Sequence, residues 1–300
     1  MRRVVFVVGP TASGKTSLSI ELALARGGEI INADSVQVYR GFDIGSCKPT
    51  PEEQARVRHH LVDILEPHET FDAGRFVQLA DAAIEQISAA GHLPIIVGGT
   101  GLYFRALLHG LAKLPPVAPE VRREVQEELE AVGVETLHRR LAEVDHEAAE
   151  RIAPKDRQRI TRALEVYRMT GTPLSAHQAR HGFAPRRYAA EVLAPDRPRR
   201  ELYRRIDTRV DGLFAGGFPQ EVRRLLAAGV APDCRPMRSL GYARVVEALE
   251  GQISMQEAAE LTKRDHRHYA KRQLTWFRKV PDINWLPPEG NPESKKLSVK

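Results

Sequence analysis

The stretch GPTASGKT, residues 9–16, constrains this chain more than any other. It follows VVFVV at 4–8, a continuous apolar run of the kind strands carry when both faces are covered. It precedes SLSIELALA at 17–25, which reads as a helix. Gly9, Gly14, Lys15 and Thr16 complete G-x-x-x-x-G-K-[ST] in the strand–turn–helix setting that gives this motif its meaning. The turn made of Gly9, Pro10, Thr11, Ala12, Ser13 and Gly14 directs backbone N–H groups at an anion, and the helix N-terminus adds positive partial charge. Lys15 reaches the outer phosphate oxygens, and the Thr16 hydroxyl can ligate Mg²⁺.

Three further strand candidates follow: EIINADS at 29–35, LPIIVGG at 93–99 and YAAEVLA at 188–194. Helical patterns separate the early ones. Asp72 is placed to cap a helix whose Phe76, Leu79, Ala83, Ile84 and Ile87 share one face. Strand–helix–strand alternation predicts a P-loop-type α/β fold, a parallel sheet with flanking helices. Pro115, Pro116 and Pro119 then mark a boundary, and from 120 to about 171 the pattern is helical throughout. An all-helical insertion at 115–185 is expected between core segments 1–114 and 186–300. Near the end, Ser254 and Glu257 form a capping-box pattern before a long helix at 255–280, and the polar tail after Pro287 is expected to fray.

The end of the strand at 93–99 lacks a feature that nucleoside triphosphatases usually have. They place a Mg²⁺-holding aspartate at such a position, and here Gly98, Gly99 and Thr100 occupy it. The carboxylate at an early strand end is Asp34 instead. At the carboxyl edge of a parallel sheet it suits a general base, although ADS also reads as a turn cap. The loop is thus suited to holding a diphosphate leaving group rather than to a hydrolysis cycle.

A formal net charge of +6 favours an anionic partner. Cys47 and Cys234 form neither a CxxC pair nor a zinc pattern, which fits a reducing compartment. No apolar run approaches the ~20 residues of a membrane helix, and 4–8 is too short for a signal-peptide core. A soluble, cytoplasmic, monomeric protein is expected. His59-His60 carries no metal expectation, because adjacent side chains diverge. His177 and His181 are expected to be solvated, and Phe76 and Phe104 to be core.

Several blocks occur in a fixed order: GPTASGKT at 9–16, NADSVQVYRGFDIGSCKP at 32–49, HHLVDILEP at 59–67, LPIIVGGTGLY at 93–103, RQRITRALEVYRMTGTPLS at 157–175 and RSLGY at 238–242. Together they closely resemble the bacterial tRNA dimethylallyltransferases, also called tRNA isopentenyltransferases. The likeness runs from Val4 to about Arg278. Ser46-Cys47 departs from the family's usual Thr-Ala, and the zinc finger of eukaryotic relatives is absent.

The resemblance implies transfer of a dimethylallyl group from its diphosphate to N6 of the adenosine just 3′ of the anticodon, in tRNAs reading codons that begin with U. It implies Mg²⁺ as cofactor and the tRNA anticodon stem-loop as partner. Asp34 matches the general base, with Thr100, Lys15 and Arg209 completing the catalytic set. Arg209 matches an arginine that binds the diphosphate, with Arg204 and Arg205 close by. RNA contacts map onto Asp34, Ser35, Val36, Gln37 and Thr100. They map also onto Gln158, Arg159, Ile160, Thr161 and Arg162 in the insertion, and onto Arg238, Ser239, Leu240, Gly241 and Tyr242.

In the last long helix, Lys263, Arg267 and Lys271 recur on one face, with Arg264, Arg272, Arg278 and Lys279 nearby and Tyr269, Trp276 and Phe277 interleaved. A charge run of this kind is either a solvated face or an RNA-facing one, and a tRNA partner favours the second. Competing readings are a free adenine-nucleotide isopentenyltransferase, a small-molecule P-loop kinase and an RNA-binding protein with a vestigial loop. The helical insertion and basic helix argue against a small acceptor. Intact Lys15, Thr16 and Asp34 argue against a vestigial loop.

Overall fold

The computed structural model describes residues 1–112, 114–182 and 185–287. The chain divides into two compact units, Met1–Leu108 with Arg186–Lys300, and His109–Pro185. The helical unit therefore begins a few residues before the proline cluster at 115–119. The tail expected to fray lies outside the described residues.

The first unit is built on β1 (Arg3–Val8), β2 (Gly28–Asn32), β3 (His59–His60), β4 (Leu93–Gly98), β5 (Ala189–Pro195) and β6 (Asn284–Leu286). They form one sheet in the order β3-β2-β4-β1-β5-β6, parallel throughout. Helices α1 (Lys15–Arg26), α2 (Pro51–Arg56), α3 (Ala73–Ala89) and α4 (Gly101–His109) belong to the first half of the chain. The second unit holds α5 (Pro119–Val132), α6 (Val134–Val144), α7 (His146–Arg151), α8 (Arg157–Thr170) and α9 (Leu174–His181). The first unit resumes with β5 and α10 (Arg199–Ala215), α11 (Phe218–Ala227), α12 (Tyr242–Leu249) and α13 (Met255–Phe277).

The apolar run of β1 is explained by burial on both faces. Val4, Phe6 and Val8 pack into a cluster with Phe76, Tyr103 and Phe104. Val5 and Val7 point the other way, to Ile20, Ile30, Ile95 and Leu193. Asp72 caps α3 by accepting from Arg75 N–H at 2.9 Å. Ser254 accepts from Glu257 N–H at 3.1 Å, one half of the expected capping box. The short edge strands β3 and β6 were not expected, because two or three residues carry no periodicity to read. The second strand is shorter than expected and ends at Asn32, so Asp34 stands beyond it in a turn.

At the amino edge of the sheet, Glu29 is buried and accepts from His60 Nε2 at 2.6 Å and His92 Nδ1 at 2.5 Å. His59 turns away to Val57 O, so the adjacent histidines diverge. Burial pushes the Glu29 carboxyl up, but the hydrogen bonds from His60 and His92 outweigh it and hold it below its ordinary 4.5. A carboxylate depressed on folding stabilises above its unfolded value and loses that stabilisation as pH falls through the folded value. We therefore expect Glu29→Gln to flatten the loss of stability below about pH 4.5. Urea midpoints of both proteins across that acid range check this, and parallel curves would remove Glu29 from acid sensitivity.

Within the helical unit, Val125, Leu129, Leu137, Leu141, Ile160, Ala163 and Leu164 form a separate core. The buried Asp145 accepts from Ala148 N–H and Ser175 N–H, both at 3.0 Å, and so caps α7 while fixing the start of α9. Ile160 is fully buried in this core, which corrects its expected place among the RNA contacts. Its neighbours Gln158 and Arg159 are exposed, while Thr161 and Arg162 are half-buried. His177 Nε2 lies 3.3 Å from Thr170 Oγ1, so it is tied into the unit rather than solvated.

Candidate active site

The turn between β1 and α1 has the conformation that an anion cradle needs. Gly9, Ala12 and Gly14 all take positive φ, at 135°, 63° and 99°. Gly14 caps α1 with no side-chain bond, leaving the first N–H groups of a twelve-residue helix open to a ligand. Ala12 holds a left-handed conformation that costs an alanine about 1–2 kcal/mol. It is held there because Arg205 Nε donates to its carbonyl at 2.9 Å, while Arg197 Nε donates to Ser13 O at 2.7 Å. Among the described residues the buried Ser13 hydroxyl has no hydrogen-bond partner, and a Cβ on Gly9 would lie 3.5 Å from it. A phosphate oxygen in the cradle would satisfy it.

Lys15 Nζ donates to Pro10 O at 2.7 Å, folded back over the turn. Burial and then the Arg209 guanidinium push its pKa down to about 7, against the pull of Asp34. The cradle thus places Lys15, Arg209 and Asp34 within electrostatic reach of one another. Arg209 also hydrogen-bonds the Cys47 thiol, and it helps burial hold His266 down at about 4. Of the neighbouring arginines, Arg205 serves the cradle backbone and Arg204 is exposed.

Asp34 Oδ1 accepts from Val36 N–H at 2.8 Å and Gln37 N–H at 3.3 Å. The turn-cap reading of ADS is thus realised, and it leaves Oδ2 for an incoming donor. The cap fixes the carboxylate as a general base requires, so the two readings are compatible. Gln37 sends its side-chain amide to Ser46 O at 3.0 Å and Cys47 O at 2.9 Å. That amide's N–H group braces the 43–47 loop and is committed to it.

The same loop is held by a residue that motif reading did not single out. Glu221, on α11, is 1% exposed. It accepts from Asp43, Ile44 and Gly45 N–H at 3.1, 2.6 and 3.2 Å, and from the Tyr242 hydroxyl at 2.6 Å. Burial, then Glu221, push the Tyr242 phenol far above its ordinary value. Tyr242 is fully buried and Gly241 packs on Phe218, which corrects their expected place among the RNA contacts. Arg238 is exposed, whereas Ser239 and Leu240 are half-buried. Removing the carboxylate strands four donors, of which Gly45 N–H and the Tyr242 hydroxyl are buried. We expect Glu221→Ala to cost about 1–3 kcal/mol or more in urea unfolding, the penalty of leaving buried donors unsatisfied. A loss under about 1 kcal/mol would show that water replaces it readily.

The missing aspartate at the end of β4 has a steric cause. A Cβ on Gly98 would overlap Ala33 O, and one on Gly99 would overlap the Gln273 amide. One on Gly101 would lie 2.5 Å from Trp276. The Ala33 backbone and the Gln273 and Trp276 side chains pack where a metal-holding side chain would stand. Thr100 is half-buried there, hydrogen-bonded to Tyr269.

The basic stripe of α13 is largely spent within the protein. Lys263 pairs with Asp211 at 2.7 Å and Glu260 at 2.8 Å, and Arg267 pairs with Asp207. The stripe stitches α13 to α10, which corrects its RNA-facing reading at Lys263 and Arg267. Arg278 pairs with Asp196 at 2.6 Å and lies over Trp285, and Arg272 lies over Tyr269. Trp276 and Phe277 pack on Phe104, so they belong to the core.

A parallel sheet with an anion cradle at its carboxyl edge, and a helical unit inserted between the strands, defines a P-loop α/β protein. Residues 37–280 match the family model described as IPP transferase. The chain belongs to this family. It is 51% identical over 284 residues to tRNA dimethylallyltransferase 1 of Trichlorobacter lovleyi, covering 95% of this chain and 93% of that protein. A solved tRNA Δ2-isopentenylpyrophosphate transferase from Staphylococcus epidermidis superimposes with a TM-score of 0.69 at 40% identity, over 96% of this chain and 93% of its own. A eukaryotic dimethylallyltransferase acting on tRNA superimposes with a TM-score of 0.82 at 27% identity, over 96% of this chain and 74% of its own.

Proposed function

We propose that this chain transfers the dimethylallyl group of dimethylallyl diphosphate to N6 of the adenosine 3′ to the anticodon, in tRNAs reading codons that begin with U. The observation that carries the reading is the meeting of Asp34 with the Lys15 and Arg209 cations at a phosphate cradle where β4 offers no hydrolytic carboxylate. The exocyclic amine is conjugated and weakly nucleophilic. As its nitrogen bonds to C1 of the allyl group, the C1–O bond breaks and the electron pair leaves with the diphosphate. The N6 proton passes to Asp34 Oδ2. The cradle N–H groups, Lys15 and Arg209 take up the charge that develops on the leaving group.

Among the described residues no three His, Cys, Asp or Glu side chains are grouped to hold a metal ion. That suits Mg²⁺, which is commonly bound by few protein groups together with substrate phosphate oxygens and water. Thr16, exposed at the cradle rim, would hold it, and bound Mg²⁺ would neutralise diphosphate charge. On the RNA side we assign Ser35, Val36, Gln37 Oε1 and Thr100 to the flipped adenosine, and Gln158, Arg159, Thr161, Arg162, Arg238, Ser239 and Leu240 to the tRNA around it. The enzyme acts as a cytoplasmic monomer, and no described helix is long and apolar enough to cross a membrane.

The test is a transfer assay with Mg²⁺, labelled dimethylallyl diphosphate, unmodified tRNA and free AMP. Label in tRNA alone is expected. Label in AMP alone would assign a free-nucleotide acceptor, and ATP consumption without label transfer would assign a kinase.

A further inference from the structure

Gln273, on α13, is 6% exposed and lies 262 residues from its partner in the cradle. Its Oε1 accepts from Thr11 N–H at 2.9 Å. Its Nε2 donates to Gly99 O at 2.9 Å. The amide orientation is fixed by these partners, since one can only donate and the other can only accept. One turn earlier, Tyr269 hydrogen-bonds both Thr100 and Gln273. Gly99 has no room for a Cβ, because that atom would overlap the Gln273 amide and lie 3.1 Å from Gly9 O.

A single side chain therefore joins the turn that would hold the diphosphate to the segment that carries Thr100. The β1–β4 ladder holds the two strands together as far as the Val8–Gly98 pair, and beyond it the Gln273 amide links Thr11 to Gly99. We infer that Gln273 is a positioning residue that sets the distance between the two halves of the site, the diphosphate cradle and the acceptor-side Gly99–Thr100 segment. This rests on the proposed transfer reaction, in which C1 of the allyl group must meet N6 at about 3–3.5 Å. The cradle fixes C1 through the diphosphate, and the Thr100 segment fixes the acceptor. Misplacement by about 1 Å is enough to cost on the order of 10²-fold in rate. Each half of the amide serves one segment, so different substitutions separate its roles.

Gln273→Met keeps the length and loses both bonds. Gln273→Glu keeps the acceptor for Thr11 but, when ionised, loses the donor to Gly99. Once protonated, the introduced carboxyl regains an O–H donor and matches the amide in shape. The measurement is the single-turnover transfer rate per folded enzyme, at saturating dimethylallyl diphosphate and tRNA, from about pH 8 to about pH 5. Thermal unfolding and tRNA affinity are followed in parallel. Gln273→Met is expected to slow transfer by about 10–10²-fold at every pH while tRNA affinity changes less than about threefold. Gln273→Glu is expected to slow it at high pH and to recover towards wild type as pH falls.

Wild-type single-turnover rate in both variants, with only the unfolding temperature lowered, would overturn the proposal and leave Gln273 as a core brace. A pH-independent ratio of Gln273→Glu to wild type would also overturn it, because the Gly99 bond would then not matter. If the wild-type protein itself transfers no label to tRNA, the proposed reaction fails instead, which keeps the two failures distinguishable.

Discussion

Replacing Asp34 with alanine is expected to lower the turnover of tRNA prenylation by about 10²–10⁴-fold, the usual worth of a general base. The reason lies in the division of its oxygens. Oδ1 is occupied by Val36 and Gln37 N–H, which aims the carboxylate, and Oδ2 is left for the proton that leaves the acceptor amine. Alanine removes both functions, so the 35–37 turn loosens as well. Asp34→Asn separates them, because the amide keeps an acceptor for the turn but cannot take a proton. Both variants should fall by similar factors in single-turnover rate, while Asp34→Asn keeps tRNA affinity closer to wild type. Turnover near wild type in Asp34→Asn would take the carboxylate out of proton transfer and leave it as a turn cap.

Lys15→Ala is expected to lower kcat/KM for the diphosphate substrate by about 10²–10³-fold, comparable to losing one preorganised donor at a charge-developing oxygen. Affinity for tRNA should change little. A change in tRNA affinity alone would put the cradle in the wrong half of the reaction. The depressed pKa adds a second signature. Burial and Arg209 hold the Lys15 pKa down at about 7, against an ordinary 10.5. Between those values the unfolded chain binds more protons at this position than the folded one, so this group's contribution to stability rises with pH across that window. A diphosphate beside Nζ reverses the balance by favouring the charged form. Binding at about pH 8 should therefore take up as much as one proton, read as a dependence of binding heat on buffer ionisation enthalpy. Lys15→Ala should abolish that dependence. An unchanged dependence in the variant would show that another group takes up the proton.

The expected core was legible wherever local pattern and local function coincide. The phosphate turn, the four longer strands, Asp72 as a cap and the helices of the insertion are all set by periodicity, turn chemistry or backbone steric limits among near neighbours. The same local logic misled at Ile160 and Tyr242. Each stands in a block shared with the family, and each is buried for packing rather than for RNA. Lys263 and Arg267 misled for a related reason, since helical spacing shows a charged face but not the Asp211 and Asp207 carboxylates that meet it.

By itself, then, the sequence determined that a phosphate-binding turn opens the chain, that it enters a parallel sheet, and that a helical unit interrupts that sheet. The signals that reveal these features, turn chemistry and hydrophobic periodicity, each span only a few residues. Only the tertiary structure decided what holds the site in register. Glu221 gathers N–H groups from 176 to 178 residues away, and Gln273 joins Thr11 to Gly99 across 262 and 174 residues. A buried carboxylate or amide has no periodic signature of its own. Its role is set by which backbone donors and acceptors, stripped of water, the fold brings within about 3 Å of it.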